Sequence, residues 1–91
     1  MIKIYQLKEE HFDKAFLGYD TVMKAYGEPE IEWYNKIYEF DTNEDLSLED
    51  IFYIFNMNRP EDFKGHSLSV SDIVDVDGES YYCDRFGWKV I

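Results

Sequence analysis

At 91 residues the chain has room for one domain, 45% hydrophobic and 19% aromatic, which is too apolar for a disordered acidic tail. No apolar run approaches the ~20 residues of a membrane span, and Met1-Ile2-Lys3 opens into patterned sequence without a signal-peptide profile, so a cytoplasmic protein is expected. Twenty carboxylates against nine Lys and Arg give a formal charge of −11, which argues against direct binding of a nucleic-acid backbone.

Ile2 and Ile4 alternate with Lys3 and continue into Tyr5 and Leu7, predicting an opening strand covered on both faces. Phe12, Ala15 and Phe16 fall at helical spacing between Glu9 and Phe16. After Gly18, Asp20 is placed to cap a second helix that carries Val22, Met23 and Tyr26 and ends at Gly27 and Pro29. Trp33 to Phe40 predicts a strand, with Tyr34, Lys36, Tyr38 and Phe40 on one face and Trp33, Asn35, Ile37 and Glu39 on the other.

Ser47, with an acid at Asp50, forms a variant capping box before a helix whose apolar face is Leu48, Ile51, Phe52 and Phe55. Asn56, Asn58 and Pro60 end it. The chain then predicts strands over Ser69 to Val76 and Glu79 to Phe86, joined at Asp77-Gly78 by a type I′ turn, where both central residues need positive φ. Tyr81, Tyr82, Phe86 and Trp88 are expected to pack against Ile73, Val74 and Val76, and Lys89-Val90-Ile91 to finish in a short strand. The expected fold is a single α+β domain over residues 1–91: an antiparallel sheet with a C-terminal hairpin, packed by two or three short helices.

The charge is unevenly distributed. Residues 37–58 contain Glu39, Asp41, Glu44, Asp45, Glu49 and Asp50 without a Lys or Arg, and residues 65–84 contain Asp72, Asp75, Asp77, Glu79 and Asp84, again without one. Nine acids and nine bases balance elsewhere, so two uncompensated segments hold the whole net charge. Solubility alone is the plainer account of such a surplus.

Motifs for chemistry fail on inspection. Asp41, Asn43 and Asp45 match the first oxygen ligands of a calcium loop, but Leu46 stands where glycine is needed and Phe52 where the bidentate glutamate is needed. Cys83 is the only cysteine, which excludes an intramolecular disulfide and a Cys-based zinc site. Its neighbours Tyr82 and Asp84 supply no base, so it is expected to be structural rather than a nucleophile paired with His11 or His66. Ser67, Ser69 and Ser71 lack a nucleophile elbow, and carboxylate pairs are too abundant here to single out an acid–base couple. No catalytic residue, metal or cofactor is expected.

From Ser47 onward the chain resembles the YodL-like domain family, a small bacterial module common in proteins of mobile elements. The resemblance is carried by Ile51-Phe52 and Phe55-Asn56, Arg59-Pro60-x-Asp62-Phe63-x-Gly65, Ser67-Leu68-Ser69-Val70-Ser71-Asp72-Ile73-Val74, Tyr81-Tyr82 and Phe86-Gly87-Trp88. It lies mainly over residues 47–91, with looser matches at Tyr5-Gln6-Leu7 and Trp33 to Phe40. Glycine is usual in the family where Ser71 stands, so a different turn before Asp72 is expected. The resemblance implies an α+β fold without established catalytic residues, in a small protein from a phage or other mobile element that modulates a host protein.

Mobile elements use small acidic proteins to occupy cationic nucleic-acid channels of defence nucleases, CRISPR effectors among them, and by that analogy a nucleic-acid-mimicking inhibitor is expected. The expected partner is a host protein with a basic surface, contacted through Asp41, Glu44, Asp45, Glu49, Asp50, Asp72, Asp75, Asp77 and Glu79, with Tyr34, Tyr53 and Trp88 as aromatic anchors. The alternative is a structural or assembly module acting on a host process such as cell shape, its charge serving only solubility.

Overall fold

The opening strand β1 (Ile2–Leu7) is an interior strand of a five-stranded sheet that is packed on both faces, which is why it is apolar towards both sides. The computed structural model describes all residues 1–91. A 3₁₀ segment (Glu9–Lys14), helix α1 (Tyr19–Tyr26) and a 3₁₀ turn (Ile31–Trp33) lead to strand β2 (Tyr34–Phe40). Helix α2 (Leu48–Met57) follows, then strands β3 (Ile73–Val76), β4 (Glu79–Cys83) and β5 (Trp88–Val90). The order across the sheet is β2-β1-β3-β4-β5, and every pairing is antiparallel. This is the α+β domain the sequence predicts.

Two cores result, one on each face of the sheet. Ile2 and Ile4 of β1, Val74 of β3, and Phe63 and Leu68 enclose Ile51 and Phe55 of α2, with Tyr38, Phe40 and Val76 packed at the margin. On the other face Leu7, Tyr34, Ile73 and Tyr82 meet Val22 of α1 and Trp33. Burying an Ile or Phe side chain in this way contributes roughly 1.5–3 kcal/mol.

The start of α2 is fixed locally. Ser47 Oγ accepts from the Asp50 amide (3.1 Å) and Asp50 Oδ2 accepts from the Ser47 amide (3.0 Å), closing the capping box. Phe52, however, does not join the core; it is 36% exposed and meets the Trp88 ring edge to face at 6.2 Å. Ile51 and Phe55 set the centre of the buried face, and Phe52 lies about 100° round the helix from Ile51.

Strand β2 departs from simple alternation. Ile4 pairs with Tyr38 but Tyr5 pairs with Lys36, so Ile37 is a bulge that reverses the phase of the strand. Tyr34 therefore enters the α1 core while Tyr38 and Phe40 enter the α2 core, instead of sharing a face.

Other local expectations are corrected. Residues 9–16 form a 3₁₀ segment (Glu9–Lys14) and a turn instead of an α-helix; the buried side chain is Lys14, its Nζ over the rings of Tyr26 (4.5 Å) and Trp33 (4.9 Å), while Phe12 and Phe16 point outwards. Gly18, not Asp20, caps α1; the Tyr19 amide is held by Asp84 Oδ1 at 3.0 Å. Strand β3 starts only at Ile73 because Ser69–Asp72 is a turn, and β4 stops at Cys83 because Asp84 accepts from the Arg85 amide and the chain turns at Gly87. Phe86 on that turn is 95% exposed instead of packed. The hairpin between β3 and β4 matches expectation, with positive φ at Asp77 (52°) and Gly78 (92°).

Candidate functional site

The sheet topology brings the two acidic segments together at one end. β1 begins there, β2 and β3 end there, and β4 begins there, with Ile2 opposite both Phe40 and Val76. Just beyond those strands, the Met1 ammonium lies 2.6 Å from Asp77 Oδ1 and 3.6 Å from Asp41 Oδ1. Both carboxylates remain largely exposed, and Glu44, Asp45 and Glu79 stand exposed on the adjoining loop and strand start. Asp77 raises the Met1 amine above its ordinary value by its hydrogen bond.

Other predicted contact residues are committed to structure. Glu49 Oε1 accepts from Trp88 Nε1 at 3.1 Å, and Asp50 is half of the capping box. Asp75 accepts from the Gly78 amide (2.9 Å) and the Ser80 hydroxyl (3.1 Å), stiffening the hairpin. Trp88 is half-buried, whereas Tyr53 is 63% exposed and free to meet a partner.

Asp72 and Tyr34 are not on the surface at all. Tyr34 is 5% exposed and its hydroxyl donates to the Ser71 carbonyl at 2.7 Å, and burial pushes its phenol well above the usual range. Asp72, 2% exposed, accepts through Oδ2 from Gln6 Nε2 and from the Ser69 amide, each at 3.0 Å. Burial pushes its carboxyl up to about 6, against the pull of the Ser69 amide, the nearby His66 and Gln6. Gln6 also spans to the His66 backbone, donating to its carbonyl (2.9 Å) and accepting from its amide (3.2 Å). Gly65 permits this approach, since a Cβ there would run into Gln6 Oε1 and Ile37 Cγ2.

Over this buried node runs a groove of about 540 Å³ lined by Phe12, Ala15, Phe16, His66, Ser67 and Ser69. His66 Nδ1 stands 2.7 Å from the Ser67 carbonyl and 4.0 Å from Asp72 Oδ2. Gln6 Nε2 also stands 3.2 Å from Nδ1, but its two hydrogens go to the His66 carbonyl and to Asp72 Oδ2, so Nδ1 carries the hydrogen for the Ser67 carbonyl, and in the neutral ring Nε2 is an acceptor. Cys83 lies elsewhere, 4% exposed, with burial pushing its thiol up to about 12, so it is a packing residue.

Comparison with known families matches the YodL-like domain over residues 1–91. The chain belongs to the YodL-like domain family. No curated protein and no solved structure matches it. The match covers the whole chain, so this YodL-like domain includes β1, α1 and β2 as well as the stretch after Ser47, where the sequence motifs concentrate. The motif stretch Arg59 to Val74 is the one that supplies Gly65, His66, Ser69 and Asp72 to the buried node. At Ser71 the backbone has φ +88°, a conformation glycine favours. The groove residues Phe12, Phe16 and His66 are not among the expected contacts; the sequence shows the two phenylalanines only as apolar positions at helical spacing.

Proposed function

We propose that this YodL-like domain is a non-catalytic protein-binding regulator whose acidic end, formed by Asp41, Glu44, Asp45, Asp77 and Glu79, docks on a basic surface of a partner protein. The observation that carries the reading is the convergence of the two uncompensated segments: Asp41 and Asp77, 36 positions apart in sequence, flank one ammonium group. Clustered charge of one sign steers encounter and sets register, while Tyr53 offers an exposed aromatic for tight contact. In its most specific form the partner is a host nuclease, a CRISPR effector being one such target, and the acidic end fills the channel that nucleic acid would occupy.

The exposed Phe86 and Met57 favour a second reading, an assembly module held by apolar contacts, with charge serving solubility. Capture from bacterial lysate with wild-type bait and with an Asp41→Lys/Glu44→Lys/Asp45→Lys bait separates the two. The first reading expects a protein that is retained at low salt, lost from the reversed bait and displaced by added oligonucleotide. Equal retention on both baits at all salt concentrations would leave the assembly reading standing instead.

A further inference from the structure

The groove over Asp72 is lined by two unlike sets of residues. One includes Phe12 and Phe16, 53% and 64% exposed, two phenyl rings left bare while the lysine between them turns inwards. Phe16 holds this exposed position with a φ of +65°, a conformation that bulky residues rarely adopt. The other set includes His66, whose Nε2, an acceptor in the neutral ring, has no partner within the protein, and the Ser67 and Ser69 side chains. No Lys or Arg lines the groove, the Asp72 carboxylate lies behind His66, and the chain as a whole carries −11.

These features select among occupants. A purely apolar side chain would cover the rings but leave Nε2 unpaired. A lysine ammonium would answer the charge without matching a flat aromatic surface, whereas a guanidinium both stacks on aromatic faces and presents several N–H donors in a plane. A second copy of this chain would bring another −11 to the same place.

From the bare phenyl rings, the unpaired His66 nitrogen and the absence of lining cations, we infer that the groove receives an arginine side chain presented by a partner protein. Its guanidinium lies over the Phe12 and Phe16 rings and donates to His66 Nε2. The inference rests on the proposed function only in taking the partner to be basic.

The test is an NMR titration of the full chain with the capped tripeptide Ac-Gly-Arg-Gly-NH2, and with its Lys and Leu counterparts. Saturable shifts at the Phe12, Phe16 and His66 ring signals are expected, with the Arg peptide binding about fivefold or more tightly than either counterpart. Phe16→Gly removes one of the two phenyl rings while relieving the positive φ, so it should fold with an undiminished thermal midpoint and bind the peptide about fivefold more weakly. The Asp41→Lys/Glu44→Lys/Asp45→Lys variant should keep the peptide affinity within about twofold, because screening confines exposed charges to about 10 Å at 0.1 M salt. Loss of binding in that variant alone would place the peptide at the acidic end and overturn the groove assignment. No saturable shift, equal binding of the Leu peptide, or full affinity in Phe16→Gly would each overturn it as well.

Discussion

The Phe16 amide donates to Ser71 Oγ at 3.3 Å, and both residues hold left-handed backbone conformations, with φ of +65° and +88°. Two strained non-glycine residues thus stabilise each other across 55 positions of sequence, joining the groove wall to the turn that buries Asp72. Ser71 also donates its amide to the Cys83 carbonyl (2.9 Å) and accepts from the Tyr34 hydroxyl, so the turn is held from three sides. Ser71→Gly relieves the strain but loses one hydrogen bond, and the two effects, each on the order of 1 kcal/mol, should nearly cancel. Ser71→Ala keeps the strain and loses the bond, so it should be less stable than wild type by about 1 kcal/mol. Urea denaturation checks the order; an alanine variant as stable as the glycine variant would show that the left-handed φ does not matter, and one as stable as wild type that the hydroxyl does not.

Phe55 and Phe52 sit three residues apart on α2 and should respond very differently to truncation. Phe55 is 1% exposed and packs within 5.0–5.8 Å of the Phe63, Tyr38 and Phe40 rings, so Phe55→Ala should cost about 3–5 kcal/mol. Phe52 meets only one ring, that of Trp88, among its aromatic neighbours, and Phe52→Ala should cost about 1 kcal/mol. Thermal melts of the two variants give the comparison, and similar losses from both would mean that the helix face is rotated from its position here.

Asp72 should make stability fall as pH rises across the mildly acidic range. Its folded carboxyl titrates at about 6, above the ordinary 3.8, so the unfolded chain releases this proton first. Asp72 therefore costs nothing below the unfolded value; the cost grows between the two values and is complete above the folded one, on the order of 2–3 kcal/mol. In Asp72→Asn the side-chain carbonyl can still accept from Gln6 and Ser69 without carrying charge. The variant should match wild type near pH 4 and exceed it at pH 7, as measured by denaturant midpoints; a pH-independent difference between the two would refute the buried, proton-retaining carboxyl.

Features set by neighbouring residues were legible in the sequence, and those set by distant contacts were not. The Ser47–Asp50 capping box and the Asp77-Gly78 turn each close within four residues, and both stand where the local pattern puts them. The bulge at Ile37 depends on pairing with β1, and it is this pairing that sends Tyr34 into the α1 core. Lys14 is buried because Tyr26 and Trp33 arrive from elsewhere in the chain, and Phe12 and Phe16 are displaced outwards as it turns in. For the acidic segments the sequence showed where charge was uncompensated. It could not show that Asp72 is enclosed by Gln6 and Ser69, or that Asp75, Glu49 and Asp50 have partners of their own.

The acidic end should be separable from the rest of the negative surface. Exposed carboxylates also occur at Glu28, Glu30, Glu32 and Glu61, so a basic ligand drawn only by the net charge of −11 would visit all of them. An octalysine peptide titrated at low salt should instead shift the amides of residues 41–46 and 77–79 most strongly, since several exposed acids there add their fields. Reversal of Asp41, Glu44 and Asp45 to lysine should abolish those shifts without unfolding the chain, because none of the three bonds to another element apart from the exposed contact of Asp41 with Met1. Asp50 must be left intact, as its loss would open the capping box and cost about 1 kcal/mol of helix stability. Asp77 should be changed to asparagine, which removes the charge and tolerates the positive φ of the hairpin turn. Added salt should weaken the wild-type response, since screening shortens the reach of exposed charges to about 10 Å at 0.1 M. Shifts spread evenly over all exposed carboxylates, or unchanged by the reversal, would return the charge to the role of keeping the domain in solution and remove the acidic end as a docking surface.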